Sequence, residues 1–326
     1  MERPFFDDLP MREGDPPHSA WGLYGEKDEL GTLNLLTPEI VQEAAREIRT
    51  GIRVPLDYPV DHLLQPSHGR QPLQHTVIRG KKKVSHDDVI SMNTQISSQW
   101  DGYRHVAYQK SGLFYNGFTA DDISGQGATR ILGTDAWVKR GGIVGRGILI
   151  DYLQWAQSEN REYDLLEGHA ITADEMQACA SAQNLEIKHG DILFVRSGFS
   201  VGYAALGEEQ KIAWSSKPAA WTGIETSLST ARWLWNSGFS ACAGDAPGWE
   251  AFPTWSGRSD IGGGSEDLAL HEVMLSGWGM PIGEMFDLEE LSKQCLRLKR
   301  YSFFVSSMPI HITGGVGSPP NAVAIF

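Results

Sequence analysis

Two stretches decide how this chain folds: Ile143-Val144-Gly145-Arg146-Gly147-Ile148-Leu149-Ile150-Asp151 and Asp191-Ile192-Leu193-Phe194-Val195-Arg196. Each is a short, largely apolar run of strand length. Between them a helix is expected from about Thr172 to Asn184, because Thr172 and Glu175 have the spacing of a capping box. Working outward, β-like runs recur at Phe239 to Gly244, Tyr301 to Val305 and Ala322 to Phe326. A helix should follow Thr226 and stop near Gly238, carrying Leu228, Ala231, Leu234 and Trp235. Another should begin at Asp287, with Glu290 in capping-box spacing. Upstream, Thr37 can cap a helix that has Pro38 in its first turn and Gly51 as its stop. Residues 52–118 contain extended segments and no helical period. Strands interleaved with helices define an α/β chain built on one mixed sheet. Its expected organisation is a domain at 51–326, with 1–50 as an N-terminal extension and first helix packed on it.

The chain has 326 residues, 41 acidic against 28 basic, and a formal net charge of −13. That balance disfavours nucleic acid or an anionic membrane as a partner, since phosphate contacts need clustered Lys and Arg. The one basic run, Lys81-Lys82-Lys83, reads as a solvated loop or edge-strand guard. Cys179, Cys242 and Cys295 are odd in number and far apart, so buried thiols are expected rather than disulfides or a Cys-rich metal site. The first residues lack the apolar core of a signal peptide, and no stretch of about 18 apolar residues occurs. A cytoplasmic protein is the expectation.

Chemistry concentrates in Gln95-Ile96-Ser97-Ser98-Gln99-Trp100-Asp101-Gly102-Tyr103-Arg104-His105. In an extended chain, Gln95, Gln99, Asp101 and His105 share one face. Four polar side chains on one face need partners. With Trp100 and Tyr103 alongside, the pattern suits a small-molecule pocket. Gly244-Asp245-Ala246-Pro247-Gly248-Trp249-Glu250 places Asp245 at a strand end, where it is read as a turn residue capping its own backbone. Gly262-Gly263-Gly264 lacks the Lys-Ser/Thr of a phosphate loop and reads as a flexible loop. There is no His-Glu-x-x-His and no dinucleotide fingerprint.

The order of these motifs resembles the cyclase superfamily, which includes kynurenine formamidase, isatin hydrolase and trans-dienelactone hydrolase. The resemblance rests on Trp21-Gly22 with Asp28 to Thr37, on Arg146 to Asp151, on Gly190 to Gly198 and on Gly244 to Glu250. It continues through His271 to Glu284 and Gly314 to Pro319. The Ser-Gln-Trp-Asp-Gly version is similar to a fungal-type branch. The resemblance implies a swivelling β/β/α-type fold, a small-molecule substrate and a homo-oligomer, dimer or tetramer.

Aligned on Asp101, Gln95 and Gln99 stand where the family has two metal-binding histidines. By the same alignment, Asp101, His271 and Glu284 match metal ligands, and His105 matches the acid/base histidine. Glutamine is a poor zinc ligand beside imidazole. The implied cofactor is therefore one divalent metal, Zn or Mn, on Asp101, His271 and Glu284, activating a water while His105 moves protons. Gln95 and Gln99 would bond the substrate, and Trp100, Tyr103 and Trp21 would stack on its ring. The implied reaction is hydrolysis of a cyclic amide, lactone or aryl formamide of a small aromatic or polyketide-like molecule. Two alternatives stand beside it. One is a metal-free cyclase, dehydratase or isomerase using Asp101 and His105; the other is a non-catalytic binder.

Overall fold

The computed structural model describes residues 3–326 apart from 64, 65, 67, 68, 82, 217–219, 254–259 and 262–267. The Gly262-Gly263-Gly264 run lies outside the described residues. Strands β1 (Arg53–Pro55), β2 (Gln74–Arg79), β3 (His86–Ser91) and β4 (Gln99–Asp101) fill the first third. Then come β5 (Ile143–Ile150), β6 (Ala170–Ile171), β7 (Ile192–Val195), β8 (Gly223–Ile224), β9 (Ala241–Gly244) and β10 (Ile282–Glu284). The last are β11 (Ser302–Ser307), β12 (Gly317–Ser318) and β13 (Ala322–Ile325). One nine-stranded sheet runs β1-β13-β11-β5-β7-β9-β10-β4-β12, and β2-β3 and β6-β8 form separate pairs. Strands β5, β7, β9 and β10 are parallel; the flanking strands are antiparallel. Parallel strands covered on both faces must be apolar throughout, and every residue of β7 and β9 is buried. The structure is thus α/β with a mixed sheet, as expected.

Local chemistry explains where helices begin and end. Helix α1 (Pro38–Ala44) is capped by Thr37, whose hydroxyl accepts from Ile40 N. It stops well before Gly51 because Glu47 is pulled inward, to Arg146 at 2.9 Å, Arg300 at 2.8 Å and the Ser302 hydroxyl at 3.0 Å. Next come α2 (Ala120–Ser124), α3 (Asp135–Arg140) and α4 (Tyr152–Ser158). Helix α5 (Ala173–Ala182) carries the full capping box of Thr172 and Glu175. After α6 (Phe199–Ala205) and α7 (Glu208–Ser216), α8 (Leu228–Asn236) is capped by Ser227, one residue later than Thr226. Helix α9 (Glu289–Leu298) has no capping box at Asp287. The Glu289 side chain instead forks onto Arg196, at 2.9 and 2.8 Å, tying the helix start to β7.

Phe6, Trp21, Leu23, Leu33 and Leu36 enter the same hydrophobic core as the sheet. All three cysteines are buried and free. No helix among the described residues is long and apolar enough to cross a membrane. The basic run sits between β2 and β3, with Lys81 and Lys83 exposed and Lys82 outside the described residues.

Candidate metal centre and active site

The site is built where β4 pairs with β10. Alternation along a strand puts Gln99 and Asp101 on one face of β4 and Trp100 on the other. The antiparallel register sets Glu284 directly opposite Gln99. The Gln99 amide nitrogen donates to Glu284 Oε2 at 2.7 Å and reaches Asp101 Oδ1 at 3.2 Å. The segment 95–105, expected to be extended, is strand only in part. Only Gln99–Asp101 is strand, and turns lie on both sides. Gln95 nevertheless folds back, and its amide nitrogen donates to Asp101 Oδ1 at 2.5 Å. Both glutamine nitrogens thus face carboxylates inside the cluster, and both residues are buried. Their carbonyl oxygens accept no hydrogen bond among the described residues and are free for the substrate contact expected of them.

The third component comes from a loop and a π-helix, Glu272–Trp278, which begins just after His271. Single π-turns recur at functional sites. His271 Nε2 lies 3.1 Å from Glu284 Oε1 and 3.7 Å from Asp101 Oδ2. Its other ring nitrogen is held by the Glu250 carboxylate, which also accepts from the His271 backbone N at 3.0 Å. Glu250 therefore fixes both the ring and its tautomer, leaving Nε2 aimed at the cluster. His105 Nε2 stands 3.8 Å from Asp101 Oδ2. The two imidazole centres are 6.5 Å apart.

Asp101 is wholly buried, and its Oδ2 has no hydrogen-bond partner. An orphaned carboxylate oxygen is costly in a protein interior. This one faces two imidazoles across gaps too long for hydrogen bonds, a place that suits a cation. One oxygen or nitrogen from each of Asp101, His271 and Glu284 falls within a span of 4.8 Å. Among the described residues this is the one group of three or more such side chains able to hold a metal. The donor set, two carboxylates and an imidazole, fits Zn²⁺ or Mn²⁺.

The electrostatics agree with a site short of positive charge. Burial alone would depress the basicity of His271, but Glu250, Asp101 and Glu284 outweigh it and hold the ring well above its ordinary value. Burial and the Asp101 charge push Glu284 up to about 7. Burial would also raise Asp101, yet His105 and His271 bring it below the usual carboxylate range. Burial dominates at His105 and, with the positive charges of His271 and Arg70, keeps it below the ordinary imidazole value. That leaves His105 neutral near pH 7 and able to accept a proton.

Three expected ring-stacking residues are turned elsewhere, which corrects the sequence reading. Trp100 is 1% exposed, donates to the Ser307 hydroxyl at 2.9 Å and packs edge-on against Phe286. Gly283 opposite it is needed, because a Cβ there would meet the indole at 2.9 Å. Tyr103 is fully buried against Tyr115 and Trp137, with its hydroxyl on Leu30 O. Trp21 donates to Ser276 O and packs on Tyr108. These rings are core. Trp100→Ala is therefore expected to lower unfolding stability by about 3–5 kcal/mol in a denaturant titration. A raised KM with unchanged stability would contradict the assignment.

Asp245 is an anchor rather than a turn cap. It is buried and accepts from Ser197 N at 2.7 Å, the Ser197 hydroxyl at 2.8 Å and Gly198 N at 2.9 Å. Sequence reasoning missed Glu250 and Arg70. Arg70 donates from Nη1 to Gln95 O at 2.6 Å, and its positive charge is felt at Asp101, His105 and Glu284. Glu250 stands in the quoted Gly244 to Glu250 segment, but nothing local ties it to a histidine 21 residues on.

Residues 32–251 match the family described as "Putative cyclase". The chain belongs to this family, an enzyme class by that description. The match contains Asp101, His105 and Glu250 and ends before His271 and Glu284. A solved structure described as a novel cyclase superposes with a TM-score of 0.81 at 29% identity, covering 94% of this chain and 99% of its own. Isatin hydrolase A from Ralstonia solanacearum superposes with a TM-score of 0.55 at 16% identity, covering 88% of this chain and 95% of its own. Isatin hydrolase A from Labrenzia aggregata, bound to benzyl benzoate, gives 0.55 at 15% identity, with 90% and 98% covered. At that identity the isatin hydrolases share the fold. A search of curated proteins finds no match.

Proposed function

We propose that the protein is a metal-dependent hydrolase that opens a cyclic amide or lactone, or cleaves an aryl formamide, of a small aromatic or polyketide-like substrate. The observation that carries the reading is the buried, unpartnered Oδ2 of Asp101, facing His271 and His105. Asp101, His271 and Glu284 would hold one Zn or Mn ion, whose Lewis acidity polarises a carbonyl and lowers the pKa of water.

The rest is the work of this chain's residues. Gln95 and Gln99 hold the Asp101 and Glu284 carboxylates in place through their amide nitrogens. Glu250 orients His271. His105, on the partly open side, accepts the proton of the attacking water as the new C–O bond forms. It returns that proton to the leaving nitrogen or oxygen as the acyl bond breaks. Each of these hydrolyses releases a carboxylate, and Arg70 supplies a cation beside Gln95 to receive it.

The test offers the purified protein a cyclic aryl amide, an aryl lactone and an N-formyl arylamine and follows acid release. One of them should turn over, with activity lost to a chelator and restored by Zn or Mn. Turnover indifferent to the chelator would overturn the metal and favour the acid/base reading, which the 3.8 Å approach of His105 to Asp101 supports. Glu250→Gln is expected to weaken metal affinity about 10–100-fold, because the amide no longer stabilises one tautomer of His271. A competitive chelator titration measures it, and unchanged affinity would remove Glu250 from this role.

A further inference from the structure

The two imidazoles of the site are held in different ways. His271 has the Glu250 carboxylate on one ring nitrogen and on its own backbone N. The His105 ring has no hydrogen bond among the described residues, and its Nε2 stops 3.8 Å from Asp101 Oδ2. A base held in this way is aimed by the backbone beneath it and by packing, and small displacements of a reacting group are costly. That backbone is a tight turn, with His105 N donating to Gly102 O at 2.9 Å. What fixes the turn therefore belongs to the geometry of the site.

The residues after His105 are tied to the π-helix at two points. Ser276 Oγ donates to Val106 O at 2.6 Å, and Gln109 N donates to Glu272 Oε2 at 3.4 Å. Between them Tyr108 passes so close that a Cβ on Gly277 would meet its hydroxyl oxygen at 2.4 Å. A serine inside a helix commonly turns its hydroxyl back to a carbonyl one turn earlier. Ser276, fully buried, reaches across to another segment instead.

Ser276 is itself held from behind. In a π-helix each carbonyl accepts from the N–H five residues on. Five residues after Ser276 stands Pro281, which has no N–H. The Ser276 carbonyl accepts from Trp21 Nε1 at 2.7 Å, and Gly277 O accepts from Ala20 N at 2.9 Å. The N-terminal segment thus clamps the end of the π-helix, and Ser276 passes that hold to the chain that follows His105.

We propose that Ser276 is a positioning residue for His105. Its hydroxyl fixes the His105 turn on the π-helix that His271 precedes, and so sets the two imidazole centres 6.5 Å apart. The inference rests on His105 acting as the acid/base of the proposed hydrolysis.

Ser276→Ala removes the hydroxyl and leaves the carbonyl that Trp21 holds. It should lower kcat about 10–100-fold, the scale on which a small misplacement of a reacting group is felt, with KM unchanged. A double-mutant cycle separates positioning from general loosening. Added to His105→Ala, Ser276→Ala should cost no further kcat, because the group it aims is gone. A chelator titration, which needs no turnover, should give wild-type metal affinity for Ser276→Ala, since Glu250 holds His271 separately. Should Ser276→Ala not fold, Ser276→Cys keeps the volume with only a weak donor and takes its place under the same expectations. Undiminished turnover in His105→Ala would overturn the acid/base reading and the inference with it. If His105→Ala is slow, three results would overturn the inference alone. They are wild-type kcat in the Ser276 variant, the same further loss on the His105→Ala background, and weakened metal binding.

Discussion

Asp101→Asn is expected to lower kcat/KM by about 10³-fold, the upper scale for removing one charge-stabilising group from an active site. The substitution keeps size and shape, so the fold should hold. It changes the charge and turns one side-chain oxygen into an N–H donor. If that donor replaces Oδ2, the trio loses an anionic oxygen where the metal would be held. Metal affinity should fall with activity, and the two losses measured on the same preparation separate a ligand from a bystander. Retained activity, or lost activity with intact metal binding, would contradict the ligand role.

His105→Ala is expected to reduce kcat by about 10²–10⁴-fold, the usual range for a general acid/base. KM and metal content should barely move, because His105 stands 3.8 Å from Asp101 and outside the ligand trio. Steady-state kinetics with elemental analysis reads both. Unchanged turnover would remove His105 from the mechanism.

These residues differ in how far the sequence disclosed them. The strands around Arg146 and Phe194 were legible because parallel, doubly covered strands must be apolar runs. Helix starts were legible where a local cap decides them, as at Thr37 and Thr172. Helix ends shifted where a distant ion pair intervenes, as at Glu47 beyond the stop of α1 and Glu289 at the start of α9, which bond to Arg146 and Arg196 from other elements. Periodicity cannot see such pairs.

The same limit applies inside the site. Asp101, His271 and Glu284 were named through a resemblance, and it takes the β4–β10 register and the π-helix to bring them together. Glu250 was beyond reach, because its contact with His271 is tertiary. Trp100 was within reach. Neighbours in a strand face opposite ways, so a residue between Gln99 and Asp101 had to point into the core. Tyr103 shares their parity, but the chain leaves the strand at Gly102, whose N–H bonds Val316 O.

Asp101, His271 and Glu284 are the residues proposed to hold one catalytic divalent metal. Elemental analysis of the purified wild type, His271→Ala and Glu284→Gln tests this most directly. About one equivalent of Zn or Mn per wild-type chain is expected, with near-complete loss in both variants and activity lost in parallel. Near-zero metal in an active wild type whose turnover ignores a chelator would contradict it.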